Sequence, residues 1–173
     1  MGTFPGGNII RVTPTLSTDA YAEGDVLFAA TEIPNAVSSR GGTSLIMAMQ
    51  VVDYLDDQND QEIFYVFSEK QADLGTVNAT ANVSDADFKA SKPTGFLVQD
   101  ADQATTGAYI DNARMHTIFA GAGTSDGAPG VFMMLKADGG STSVYISGIL
   151  KSGTTPTYAA DGIELIFHIK YLD

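Results

Sequence analysis

Apolar and polar residues alternate along much of this chain with a period of two. Ile163, Leu165, Phe167, Ile169 and Tyr171 share one parity, while Glu164, His168 and Lys170 hold the other and Ile166 alone interrupts them. That pattern describes an antiparallel strand with one buried face. Leu45, Met47, Met49, Val51 and Leu55 form a second row broken by Asp53; Ile63, Tyr65 and Phe67 form a third, and Val144, Ile146 and Leu150 a fourth. Residues 9–13, 26–31, 95–98, 115–120 and 131–137 are further candidates, so at least eight strands are expected.

Stretches rich in glycine, serine, threonine and proline separate these runs, at 40–43, 121–130, 138–141 and 151–161. Helical signals are few. The best is Ser84 as a cap with Asp87 three residues on, which suits one or two turns. Alternating strands are explained by two antiparallel sheets that each bury one face, because fully buried parallel strands would read as continuous apolar runs. The expected fold is all-β, an antiparallel β-sandwich of jelly-roll type, with a closed barrel as the alternative arrangement. Residues 1–18, with Pro5, Gly6, Gly7 and Pro14 around Ile9, Ile10 and Val12, are expected to form an N-terminal arm or edge strand, and 19–173 a single sandwich domain. As an arm, Ile9, Ile10 and Val12 would pair with a neighbouring subunit's sheet edge.

The 173 residues are enough for one domain with a substantial core, and the absence of cysteine excludes both disulfides and thiolate metal sites. Nine basic residues against 21 acidic ones give a formal charge of −12, which disfavours a phosphate backbone as partner. No apolar run approaches the roughly 20 residues that cross a bilayer, and the first eight residues lack the basic and apolar regions of a signal segment. A soluble, unprocessed chain without a membrane or nucleic-acid partner is expected.

The segment Asp19 to Leu27 reads Asp, Ala, Tyr, Ala, Glu, Gly, Asp, Val, Leu, a glycine-centred turn that feeds a strand. It resembles the Ala-Tyr-x-x-Gly-Asp-Val opening of a family of small structural proteins of tailed bacteriophages, the decoration or cement proteins of the head. A similar rhythm recurs at Val51 to Asp53, in Phe64 to Ser68, at Asn78 and Ala79, and from Val83 to Phe88. The resemblance implies a non-catalytic virion protein on the capsid exterior, made in the host cytoplasm, binding the major capsid protein and itself, most often as a homotrimer. A carbohydrate- or host-surface-binding module, and another particle component such as a jelly-roll capsid or tail protein, are the alternatives.

Each chemical constellation has a simpler reading. Asp53, Asp56, Asp57, Asp60 and Glu62 offer oxygen ligands for Ca²⁺, but the spacing places Gln61 where an EF-hand loop needs glycine and Phe67 where it needs glutamate. A solvated turn suits them better. The two histidines, His116 and His168, read as a packed strand residue and a surface or interface residue. Gly123 to Gly127 spells Gly-x-Ser-x-Gly, yet Ala128, Pro129 and Gly130 follow where a nucleophile elbow needs a helix. Asn78 and Asn82 head glycosylation-like triplets that read as polar loop. No cofactor, metal or catalytic residue is expected. Tyr145 reads as a sheet residue, and Tyr158, in a loop bracketed by proline and glycine, as a candidate contact residue for a partner.

Overall fold

A computed structural model describes residues 7–54, 61–99, 107–110, 113–119, 132–152 and 155–172. Ten strands and one short helix follow in the order β1 (Gly7–Val12), β2 (Val26–Ile33), β3 (Thr43–Asp53), β4 (Glu62–Ser68), α1 (Asp85–Ser91), β5 (Pro93–Gln99), β6 (Gly107–Ile110), β7 (Ala113–Ile118), β8 (Met133–Lys136), β9 (Val144–Ser152) and β10 (Ile163–Tyr171). They form two antiparallel sheets packed as a sandwich. One runs β1-β10-β3-β7-β6, with β8 also paired to β3, and the other runs β2-β9-β4-β5. Two sheets with separate edges replace the closed barrel.

The pairing has a simple logic. Strands β1, β2, β3 and β4 pair antiparallel with β10, β9, β7 and β5, the later strands taken in reverse order. The chain is thus one long antiparallel ribbon, doubled back through 69–92 and rolled so that successive strand pairs fall in opposite sheets. Contacts β10·β3 and β9·β4 join the pairs within each sheet. Burial on the inner faces drives the rolling: Leu165, Phe167 and Ile169 of β10 meet Tyr65 and Phe67 of β4 and Ile146 of β9 in one core. Phe67 and Phe167, from opposite sheets, stack edge to face at 6.2 Å between centroids.

β3 departs from the expected parity. Ile46, Met49 and Val51 point into the core, while Met47 is exposed and Leu45 is half-buried. The cause is a bulge: His168 lies opposite Ala48 and Ile169 opposite Ile46, so Met47 is an extra residue that flips the parity of everything before it. The bulge also lets β3 carry two partners on one edge, β7 along Met49–Asp53 and β8 along Thr43–Ile46.

The short helix forms where its cap was expected. Ser84 Oγ accepts the Asp87 N–H at 3.1 Å, Asp85 and Asp87 occupy the first turn, and Lys92 closes the helix in the left-handed region. Lys92 Nζ then reaches Glu69 at 3.2 Å and Asp138 at 2.9 Å, pinning the corner before β5 to the turn between β8 and β9. These exposed pairs add little stability. Residues 7–12 are not a free arm: they are an edge strand laid along β10, with Ile10 and Val12 buried in this chain's own core.

Candidate functional site

The Asp19 to Leu27 segment is built into the fold rather than offered to a partner. Tyr21 is fully buried, donating its hydroxyl to the Leu27 carbonyl at 2.9 Å and accepting the Ser17 N–H at 2.6 Å. Gly24 takes φ 86°, which a Cβ would strain, and Asp25 Oδ2 accepts the Ala22 N–H at 2.7 Å to close the turn. Main-chain bonds from Gly24 and to Asp25 tie this corner to Leu150 of β9. Asn78, also left-handed, adds its N–H to the Val26 carbonyl and its side chain to Ser17. The motif residues therefore specify architecture.

Of the four candidate contact residues, only Ile9 is well exposed, at 59 %. Tyr158 is buried, against the expectation of a loop contact, because its ring packs edge to face on Tyr21 at 5.9 Å. His168 lies on the outer face of the six-stranded sheet with Nε2 3.3 Å from Gln50 Oε1, and His116 is buried between the sheets. Tyr145 is half-buried in β9. Asp56, Asp57, Asp60 and the Gly123 to Gly127 loop lie outside the described residues. Among the described residues no cluster of three or more histidine, aspartate or glutamate side chains is gathered for a metal.

A polar cluster sits between the sheets at one end of the core. Tyr65 donates its hydroxyl to Gln99 Oε1 at 2.9 Å, Gln99 Nε2 reaches the Gln61 carbonyl at 3.4 Å, and Asp53, Arg114, His116 and Tyr158 line the same space. Its cavity has a volume of about 10 Å³, the room of one water at most. Burial, with the charge of Asp53, raises the Tyr65 and Tyr158 hydroxyl pKa values above the usual range. Such a cluster fixes sheet packing. Tyr65→Phe leaves Gln99 Oε1 without its donor and is expected to cost about 1–3 kcal/mol in urea unfolding; an unchanged midpoint would mean that the bond contributes nothing.

The outer face of the four-stranded sheet presents a different surface. Phe96 of β5 is 64 % exposed, lies opposite Val66 of β4, and has its ring 6.1 Å from that of Phe64. Phe64 in turn lies between Val98 of β5 and Ile149 of β9, with Lys151 Nζ 5.8 Å above its ring. Phe64, Val66, Phe96, Val98 and Ile149 form a continuous apolar strip with no carboxylate in it, on a chain with 21 acidic residues. Its signal was present in the sequence: 63–67 is an unbroken apolar run, so Phe64 and Val66 make a second apolar row behind Ile63, Tyr65 and Phe67. A run apolar on both parities belongs to a strand with something to cover on both faces.

Comparison with protein-family models, with curated proteins and with solved structures finds no match for this chain.

Proposed function

We propose that this protein is a virion structural component, a decoration or cement protein that binds the assembled head of a tailed bacteriophage. The observation that carries the reading is the apolar strip of Phe64, Val66, Phe96, Val98 and Ile149 on an outer sheet face, in which Phe96 is exposed and the other four are half-buried, apolar surface of the kind that marks an interface. The partner is taken from the resemblance carried by Asp19 to Leu27 and its later echoes. The rolled ribbon of strand pairs supports reading the sandwich as a jelly roll, a fold common among shell proteins.

The mechanism is mechanical. Copies made in the host cytoplasm bind the outside of the finished shell, lay the strip against the major capsid protein and bridge adjacent subunits. Each copy removes exposed aromatic surface from water, and because it binds only the assembled lattice it stabilises that state by mass action. Repetition over a symmetric shell makes the effect cumulative.

Co-sedimentation with phage heads that lack the protein tests this. Wild type is expected to pellet with heads to a saturating copy number. Phe96→Asp, at a position already in solvent, should keep its fold and lose at least about tenfold in affinity, the scale of an interface hot spot. Wild type left in the supernatant overturns the shell partner, and affinity for a glycan array in its place would make the protein a carbohydrate-binding module. Equal binding by Phe96→Asp overturns the strip as the contact.

A further inference from the structure

The two outermost strands of the four-stranded sheet have blunted edges. On β2, the turn at 76–80 bridges Asp25 and Val26, and Asp73 Oδ1 accepts the Ala30 N–H at 3.0 Å. β5 opens with Pro93, which has no N–H to offer at a strand edge. β1 has no such device. It pairs with β10 in unbroken register from Gly7 opposite Lys170 to Val12 opposite Leu165, and among the described residues no main-chain hydrogen bond reaches its other edge. It contains neither proline nor lysine, and Gly7, Asn8, Ile9 and Arg11 are exposed. An edge in this state is a template for another strand.

We infer that the free edge of β1 pairs antiparallel with β1 of a second copy across a two-fold axis, running two six-stranded sheets into one. The sequence suits its own reverse. Opposed residues of an antiparallel pair project to the same face, so centring the axis on Ile9 stacks Ile9 on Ile9 and sets Arg11 opposite Gly7, with no like charges facing. Arg11 is already compensated within its own chain by Glu164 Oε2 at 3.0 Å. Ile9 also borders a shallow groove with Met47, His168 and Lys170 on the outer face, so the pair covers apolar surface besides main chain. This contact is separate from the Phe64 and Phe96 strip and does not rest on the shell reading. It gives a dimer where the resemblance implies a trimer.

The absence of cysteine makes the test clean. Opposed Cα atoms in an antiparallel pair stand about 4.5 or 5.5 Å apart, within the span of a disulfide. Ile9→Cys is therefore expected to cross-link into a dimer under mild oxidation, and Ile9→Lys to stay monomeric. Wild type in light scattering should approach twice the 18.2 kDa chain mass as concentration rises. A wild type that stays monomeric or forms a trimer overturns the inference, as does a wild-type dimer whose Ile9→Cys variant does not cross-link. No shell is present in this experiment, so its outcome is independent of head binding.

Discussion

Gly148→Ala is expected to destabilise this protein by roughly 3 kcal/mol or more, at the upper end of what overpacking costs. Gly148 sits in the middle of β9, opposite Phe28 of β2 on one side and Tyr65 of β4 on the other. The two rings close over the gap left by the missing side chain, 6.3 Å apart between centroids. A Cβ at this position would overlap Phe28 Cε1 and stand 2.9 Å from Cδ1 and Cζ. Phe28 cannot swing away, since it is fully buried in the core between the sheets. The backbone cannot yield either, because β9 is hydrogen-bonded on both edges. Urea unfolding should show the loss as a lower midpoint with unchanged slope, and Phe28→Leu in the same chain should restore part of it. A Gly148→Ala protein as stable as wild type would mean that the Phe28 ring has room the packing denies it.

Raising the pH above about 10 is expected to unfold the protein steeply. Tyr65 and Tyr158 are buried, and loss of solvent raises both hydroxyl pKa values above the ordinary tyrosine value. Below about pH 10 both states keep these protons and the two groups give stability no pH dependence. Above it the unfolded chain ionises while the native chain does not, so the native state binds more protons and stability falls as pH rises. The slope is about 1.4 kcal/mol per pH unit for each retained proton, or roughly 3 kcal/mol per unit for the pair. That loss is drawn from the roughly 5–15 kcal/mol typical of a domain. Tyrosinate absorbance should appear together with the loss of sheet signal. A gradual tyrosinate titration in a protein that stays folded would contradict the sealed cluster.

Much of the fold was legible because its strands obey a period of two. The β10 row reads directly from the sequence, and Ile166, its one irregularity, is the outward residue buried between Arg11 and Gln50 on neighbouring strands. Ser84 and Asp87 announced α1 because a cap is a local hydrogen bond that needs no tertiary partner. The β3 parity was misleading, because a bulge at Met47 is set by the pairing with β10 and leaves no mark in β3 itself. The sequence alone presents Ile10, Val12 and Tyr158 as contact residues for the same reason: their burial depends on strands and rings distant in the chain. The apolar strip stood in the sequence as the run 63–67, yet a doubly apolar strand looks the same whether a helix, a sheet or another protein covers it.

The most direct test of the cement reading is calorimetry of phage heads that lack this protein, with and without the purified chain. Bound copies that bridge the shell must raise its melting transition, with the shift saturating at a fixed number of copies per head. A transition that does not move at saturating protein would contradict it.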